Sequence, residues 1–449
     1  MRTLFGTDGI RAVAGEPPLD PKTIRAVGAA LAHSLSKTGE RPRVLLGTDT
    51  RESGEWISAV IAAGLAEAGA EVLNAGVITT PGVAYLTRKH GFAAGVVISA
   101  SHNPWQDNGI KVFGSDGYKL PDETELAIET EIFRHLHTAV GPDTLSTAAP
   151  PVAPAFRQEY EAFLRGLVPG LSLSHKKIVI DCANGAAAAI APELFTTFGG
   201  EVIFTHVTPN GRNINENCGA LHPEVVAREA MAAGADLGIT FDGDADRALF
   251  ADAQGRVVNG DAVMLVAARD MQARGQLAGN IIVATTMSNM GLESALKKSG
   301  IRMLRAPVGD KYVLQMMKEN SAALGGEQSG HILFAERSTT GDGLLTALIL
   351  LDLIHRSGKP LDALTNGLRV FPQVIVNVRV REKRPLEQIP AVADSIHRAE
   401  VDLNGSGRVV VRYSGTEALA RVMIEAESEE RMREHADRIA EAIRAEIGV

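Results

Sequence analysis

The strongest constraint in this sequence is a rhythm: short apolar runs alternate with segments of helical period, and the pattern runs three times. Ile24, Val27, Leu31 and Leu35 recur at helical spacing after Pro21, a favourable first-turn residue, and residues 44–46 follow as a buried strand. Ser53 is placed to cap a second helix carrying Ile57, Val60, Ile61 and Leu65, and strands are predicted at 72–73 and 95–98. The rhythm restarts with strands at 177–180, 201–204 and 237–240 and an Ala-rich helix after Gly185. A third round places a strand at 281–284, a helix through 292–296 and a strand at 301–304. Strands separated by helices pair in parallel, with helices covering the sheet.

A different piece closes the chain. Strands are predicted at 374–378, 408–413 and 419–425, followed by a helix whose Met432, Ala436, Ile439, Ile443 and Ile447 form one apolar stripe. The expected fold class is therefore α/β: three similar α/β domains with mixed, mainly parallel sheets, then a C-terminal α+β domain. At 449 residues the chain exceeds the size at which one core keeps growing. The Pro-rich run Ala149-Pro150-Pro151-Val152-Ala153-Pro154 marks the clearest linker. Domains are expected at 1–150, 155–255, 256–367 and 368–449.

Charge and composition exclude several classes of function. The net charge of −9 carries no basic run, so no nucleic-acid partner is expected and an anionic ligand must be met by local Arg and Lys groups. The longest apolar stretch, 344–354, is too short to span a bilayer, which takes about 20 residues, and no membrane partner is expected. The N-terminal residues lack an apolar signal core, predicting a cytoplasmic protein. Cys182 and Cys218 cannot build a disulfide framework and are expected as buried thiols.

Four motifs carry chemistry. Ser101, in Ser99-Ala100-Ser101-His102-Asn103-Pro104, follows an apolar strand, where open α/β sheets place their ligands. Pro104 and Asp107-Asn108-Gly109 predict a turn that presents the serine on a loop. Ser101 and His102 read as a nucleophile with its base or as plain loop polarity, and no G-x-S-x-G elbow surrounds them. Next, Asp242, Asp244 and Asp246 alternate after another apolar strand. Three such carboxylates converge on a hard cation or form a solvated acidic turn. The EF-hand pattern fails, with Arg247 at its sixth position and Ala253 at its twelfth. Mg²⁺ suits the small ligand set better than Ca²⁺, and zinc would want His or Cys nearby.

In the third motif, Arg412-Tyr413-Ser414-Gly415-Thr416-Glu417 offers hydroxyls and successive backbone N–H groups as an anion nest, or an ordinary hairpin turn; Arg421 can add a bidentate contact. Finally, Gly325-Gly326-Glu327-Gln328-Ser329-Gly330-His331 suits vicinal sugar hydroxyls or an amine, or serves as a structural loop. Two further loops, ending in Arg11 and Arg51, supply cations or capping residues.

Taken in order, Gly6-Thr7-Asp8-Gly9-Ile10-Arg11, Ala100-Ser101-His102-Asn103-Pro104, Asp242-Gly243-Asp244-Ala245-Asp246-Arg247, Gly326-Glu327-Gln328-Ser329-Gly330-His331 and Ser414-Gly415-Thr416-Glu417 resemble the signatures of the α-D-phosphohexomutase superfamily. Glu327-Gln328-Ser329, residues 209–219 and Thr339-Thr340-Gly341-Asp342-Gly343 are similar to its bacterial members acting on glucosamine phosphates. The resemblance implies four domains around a central cleft and a cytoplasmic isomerase of amino sugar metabolism that supplies cell-wall precursors. It would interconvert glucosamine 6-phosphate and glucosamine 1-phosphate, as a monomer or homodimer. It implies that Ser101 is a phosphoserine and that Ser101, Asp242, Asp244 and Asp246 hold Mg²⁺. Arg247, Glu327 and Ser329 would bind the sugar; Arg412, Ser414, Gly415, Thr416 and Arg421 would grip the distal phosphate. Arg11, Lys111 and His331 match positions of charge stabilisation or proton transfer. Glucosamine 1,6-bisphosphate would serve as intermediate or primer. Two residues depart from the pattern: Trp105 where Tyr or Phe is commoner, and Ala418 where Pro is usual, which predicts a more mobile phosphate loop. The alternatives are a phosphomannomutase or phosphoglucomutase, a phosphatase on the same metal loop, and a non-catalytic sugar-phosphate sensor.

Overall fold

The computed structural model describes residues 4–6, 8–36, 41–138, 148–413 and 418–449. They pack as two compact units, one of residues 1–287 and 304–366 and one of 288–303 and 367–449. Residues 288–303, expected within the third domain, thus group with the last.

In the first unit the chain opens with β1 (Ile10–Val13), α1 (Pro21–Leu35), β2 (Arg43–Thr48), α2 (Ser53–Glu67), β3 (Glu71–Val77), α3 (Thr80–His90), β4 (Ala94–Ile98), β5 (Asp107–Gly114) and α4 (Asp122–Thr138). Asp20 caps α1 by accepting from the Thr23 N–H at 3.1 Å, and Pro21 supplies a pre-set φ at the first position. Glycine lets α1 meet α2 backbone to backbone: a Cβ on Gly28 would stand 2.5 Å from the Ile61 carbonyl, and one on Gly64 2.2 Å from that of Arg25. The strands pair in the order β1-β5-β4-β2-β3. β3, β2 and β4 are parallel; β5 returns antiparallel to β4.

Two local expectations need correction. Residues 107–109, predicted as a turn, are the first residues of β5, and residues 108–113 of that strand are all buried. Burial on both faces, including polar Asn108 and Lys111, erases the alternation by which a strand is recognised. Ser53 starts α2 without capping it; its hydroxyl accepts from Asn108 Nδ2 at 2.8 Å.

The second round contains α5 (Ala155–Gly166), β6 (Lys177–Asp181), α6 (Ala191–Thr196), β7 (Glu201–Thr205), α7 (Pro223–Ala233), β8 (Leu237–Phe241), β9 (Ala248–Asp252) and β10 (Val257–Val258). Its sheet order is β10-β9-β8-β6-β7. The Ala-rich stretch forms a single 3₁₀ turn at Ala186–Ala189 and only then the short α6. The third round contains α8 (Gly260–Ala273), β11 (Ile281–Thr285), α9 (Met290–Lys298, in the second unit), β12 (Arg302–Ala306), α10 (Asp310–Asn320), β13 (Leu324–Gly326), β14 (Ile332–Phe334), α11 (Gly343–Ser357) and α12 (Leu361–Leu364). Its sheet order is β12-β11-β13-β14.

Stripped of the edge strands β1 and β10, the three sheets share one topology. The first strand lies inside, the second at one edge, and the third joins a fourth that runs back antiparallel. This fourth strand, present in all three rounds, is what the helix–strand rhythm did not foretell. The second unit carries β15 (Gln373–Arg379), α13 (Pro390–Leu403), β16 (Gly407–Tyr413), β17 (Leu419–Ala426) and α14 (Glu429–Ile447), in an antiparallel sheet of order β15-β17-β16. The predicted stripe on α14 is its buried face. Among the described residues, no helix is long and apolar enough to cross a membrane. Cys182 and Cys218 are free and buried.

Candidate active site

The three motif loops of the first unit hold the same place in their sheets. The Ser101 loop joins β4 to β5, the Asp242 loop joins β8 to β9, and the Glu327 loop joins β13 to β14. Each contains one residue in the left-handed region: Ser101 at φ 52°, Ala245 at φ 54° and Gly330 at φ 94°. For the two non-glycine residues that conformation costs about 1–2 kcal/mol, so surrounding contacts must impose it.

Those contacts are plain at Ser101. Its N–H donates to Ser99 Oγ at 2.9 Å, and Ser99 Oγ donates to Asp49 Oδ2 at 2.6 Å. Its carbonyl accepts from Arg51 Nη2 and from Asn215 Nδ2, both at 2.9 Å. Arg51 is wholly buried and pairs with Asp49 at 2.9 Å. Its guanidinium also donates to the carbonyls of Asn103, Pro104 and Asp107. Arg51 is therefore an internal clamp on the serine loop, a correction to both readings of it as a cation for ligands or a surface capping residue.

Ser101 Oγ, on a residue only 1% exposed, donates to Asp242 Oδ2 at 2.5 Å. The loops touch backbone to backbone: a Cβ on Gly243 would stand 2.4 Å from the Ser101 carbonyl, one on Gly185 2.4 Å from that of Gly243. His102 Nδ1 lies 3.3 Å from Ser101 Oγ. Burial, with Arg247 and Arg11 nearby, drives the His102 pKa down to about 4, so its ring is neutral.

Asp242, Asp244 and Asp246 are buried, with one oxygen of each within 4.8 Å of the others. Burial, then Asp246 and Asp244, pushes the Asp242 carboxyl far above its usual range. Asp244 Oδ1 and Asp246 Oδ1 are buried without a hydrogen-bond partner among the described residues. Buried carboxylate oxygens without partners are costly unless a cation takes them, and an all-oxygen set fits a hard divalent ion. The solvated-turn alternative fails, because the triad is out of water.

Around the triad, Lys111 Nζ lies 2.8 Å from Asp244 Oδ2, 3.0 Å from Asp8 Oδ2 and 3.7 Å from Asp246 Oδ2. Burial lowers its pKa, but Asp244, Asp8 and Asp246 outweigh that and hold it as an ammonium. Arg11, half-buried on β1, pairs with Asp8, and Lys119 bridges Asp8 to Asp310, the latter at 2.7 Å. His331 Nδ1 stands 3.6 Å from Asp246 and Nε2 3.5 Å from Asp310. Burial opposes its protonation, yet Asp246, Asp310 and Glu327 raise its pKa to about 9. The Gly341 N–H points at Nε2 at 3.1 Å, so Nδ1 keeps its proton facing Asp246 and Nε2 is the position that gives one up. Arg247 lies 3.7 Å from Asp246 and 3.9 Å from Asp242.

The Glu327 loop is a tight backbone turn. The Glu327 N–H donates to the His331 carbonyl and the Gly330 N–H to the Glu327 carbonyl, both at 3.0 Å. It docks through Gly260 and Gly330, whose added Cβ atoms would stand 2.0 Å from the Glu327 carbonyl and 2.4 Å from that of Ala248. Glu327 is half-buried and Ser329 exposed. A cavity of about 280 Å³ lined by Tyr118, Lys119, Asp310, Lys311, Thr339 and Thr340 opens beside the Lys119–Asp310 pair.

The structure thus brings Ser101, Arg11, Lys111, Arg247, His331 and the three aspartates into one linked network. Sequence reasoning missed Asp8, Thr80 (which donates to Asp244 Oδ2 at 2.5 Å), Lys119, Asn215 and Asp310. Asp8 and Asn215 lay inside motifs read for other reasons; Thr80, Lys119 and Asp310 carried no local signal. In the second unit Arg412 and Arg421 stand directly opposite across β16 and β17. Ser414, Gly415 and Thr416, and with them the expected mobility of that loop, lie outside the described residues.

Four family descriptions match in order: phosphoglucomutase/phosphomannomutase alpha/beta/alpha domain I at 2–138, domain II at 163–255, domain III at 259–370 and the C-terminal domain at 375–442. The chain belongs to the phosphoglucomutase/phosphomannomutase family. Within this family, a curated phosphoglucosamine mutase of Koribacter versatilis (strain Ellin345) is 59% identical over 455 residues, covering 100% of this chain and 98% of its own. The phosphoglucosamine mutase of Solibacter usitatus (strain Ellin6076) is 54% identical over 100% of this chain and 99% of its own. Among solved structures, a phosphoglucomutase/phosphomannomutase family protein from Burkholderia thailandensis matches with a TM-score of 0.79 at 23% identity, over 100% of both chains. An Aspergillus fumigatus N-acetylphosphoglucosamine mutase in complex with GlcNAc-6P and magnesium matches at 0.65 and 20% identity, over 99% of this chain and 96% of that one. The two structures establish the family fold for this chain.

Proposed function

We propose that this chain interconverts glucosamine 6-phosphate and glucosamine 1-phosphate through phosphorylated Ser101, the activity for which its full-length bacterial relatives are named. One observation carries the proposal: Ser101 Oγ is held 2.5 Å from a carboxylate oxygen of a buried aspartate triad, two of whose oxygens lack a hydrogen-bond partner among the described residues. A serine so placed is an acceptor and donor of phosphoryl groups beside a cation site. Its burial excludes water, which would turn a mutase into a phosphatase.

Asp242, Asp244 and Asp246, with an oxygen on Ser101, would hold Mg²⁺, which when bound neutralises charge gathering on the transferring phosphoryl group. The magnesium complex of the fungal relative supports that choice. The C1 hydroxyl of glucosamine 6-phosphate forms a bond to phosphorus as the Ser101 Oγ–P bond breaks, and the hydroxyl proton passes to a base. The product is glucosamine 1,6-bisphosphate. After it turns over, Ser101 Oγ takes the 6-phosphoryl group and glucosamine 1-phosphate leaves. Lys111 is held as an ammonium and Arg11 is a guanidinium, so both stabilise charge. His331 is then the member of that set suited to exchanging a proton. Arg247, Glu327 and Ser329 would orient the sugar. Arg412, Ser414, Gly415, Thr416 and Arg421 would grip the phosphate that is not reacting. The proposal keeps the four-domain division and a cytoplasmic monomer or homodimer.

The test is a substrate panel of glucosamine, glucose and mannose 6-phosphates, run with and without a bisphosphate primer. Glucosamine 6-phosphate should give the highest kcat/KM with no net release of inorganic phosphate. Preference for mannose or glucose, or stoichiometric phosphate release, would overturn the assignment.

A further inference from the structure

We propose that His33, Glu131 and His135 form a second metal site, separate from the aspartate triad and suited to a divalent transition metal of the zinc class. His33 lies in the last turn of α1, whereas Glu131 and His135 are four residues apart on α4 and therefore share one face. His33 and His135 are 102 residues apart in sequence, so tertiary packing brings the three side chains together.

The geometry is that of a coordination face. His33 Nδ1 and His135 Nε2 are 3.0 Å apart, His135 Nε2 and Glu131 Oε1 3.3 Å, and His33 Nδ1 and Glu131 Oε1 3.6 Å. A tetrahedral ion bound at about 2.0–2.1 Å from each ligand holds its ligand atoms roughly 3.3 Å apart. The three observed spacings bracket that figure. A hydrogen bond between the two imidazoles accounts for the shortest spacing and leaves unexplained why one carboxylate oxygen sits nearly equidistant from both nitrogens. The two rings are almost parallel, at 7°, so both nitrogens can face one point.

The donor set separates this site from the first. Two imidazoles and one carboxylate suit zinc, cobalt or nickel, whereas the all-oxygen triad suits a hard ion. Three protein ligands with exposed His33 leave a fourth position open to water. Arg134 is the competitor: its guanidinium bonds both oxygens of Glu131. Its side chain is 63% exposed, so solvent screens the pair, while its two-point geometry makes it stronger than a single surface contact. A bound ion would staple α1 to α4 over the core that Leu31, Ile128 and Ile132 enter, closing a loop of about a hundred residues.

Chelator-stripped protein, its triad refilled with excess Mg²⁺, is titrated with CoCl₂ and with ZnCl₂ alone. Calorimetry and the visible d–d bands of cobalt read binding; the melting temperature reads stapling. Wild type should take up one equivalent of Co²⁺ and melt higher in Zn²⁺. His33→Ala and His135→Ala should each weaken binding by more than about a hundredfold, beyond what losing an outer-shell partner costs. Both should keep their circular dichroism and Mg²⁺-dependent turnover, and Arg134→Ala should bind at least as tightly as wild type. Absence of a Co²⁺ equivalent in the Mg²⁺-filled wild type, or equal uptake by the two histidine variants, would overturn the proposal. Absence of mutase turnover in the Mg²⁺-filled wild type, with its Co²⁺ uptake intact, would instead count against the mutase assignment.

Discussion

The loop carrying Ser101 and the loop carrying Glu327 occupy the same place in two sheets of one topology, yet they are held in opposite ways. The serine loop is locked by side chains from elsewhere: Arg51 takes four of its carbonyls, Asn215 two, and Ser99 and Asp49 fix its amide. The Glu327 turn is shaped by backbone hydrogen bonds and glycine contacts, and leaves Ser329 in solvent. On the proposed roles, the loop where a bond must form is fixed by buried charge, and the loop that would recognise the sugar is a short exposed turn.

Four measurements can break or sharpen that contrast. Ser101→Ala should cut turnover on the order of 10⁴–10⁶-fold and leave the protein without serine-bound phosphate by mass spectrometry. A fully active variant would end the phosphoserine hypothesis. Arg51→Ala strands Asp49 as a buried unpaired charge, and losing one partner of such a pair costs about 3–5 kcal/mol. The melting temperature should fall steeply, with no rescue by Arg51→Lys, which cannot reproduce the fork; a neutral result would show that the loop holds itself.

Asp342 probes the neighbouring aspartate loop, since it caps α11 while Gly343 donates to the Ala245 carbonyl at 2.9 Å. Burial pushes its pKa up to about 6, against about 3.9 when unfolded. The folded state thus binds the extra proton between those values, and stability should rise as pH falls from about 6 to 4. The full effect is ~3 kcal/mol. Asp342→Asn keeps a capping oxygen and should lose that component of the wild-type gain on acidification, read as a difference in melting temperature. Smallest is Ser329→Ala, expected to lower kcat/KM less than about tenfold and leave melting unchanged, as for one exposed hydroxyl. A loss as large as that of Ser101→Ala would erase the contrast between the loops.

The sequence made the architecture readable wherever periodicity reports burial on one side. The parallel strands other than β13, which reads as part of the Glu327 loop, lie with α1, α14 and the C-terminal sheet where apolar runs and helical spacing place them. β5 stayed hidden because Asn108 and Lys111 are polar residues buried for the site. Of the site, residues in local motifs were legible: Ser101, the aspartates, Glu327 and His331. Lys119 and Asp310 become partners only when α10 packs near the end of β5, a relation that no local pattern encodes. Arg51 was visible, but a buried clamp and a ligand-facing cation look alike in one dimension.

The repeated hairpin has a further consequence for how such an enzyme can change. Because the Glu327 turn is closed by its own main chain, residues 327–329 can be exchanged without disturbing the clamps on Ser101. On the roles proposed for these loops, preference among sugars can therefore drift under selection while the phosphoryl chemistry stands still. The reverse is barred, because the Ser101 and Asp242 loops meet through Gly243 with no room for a side chain. Innovation in this scaffold is confined to one hairpin of the three.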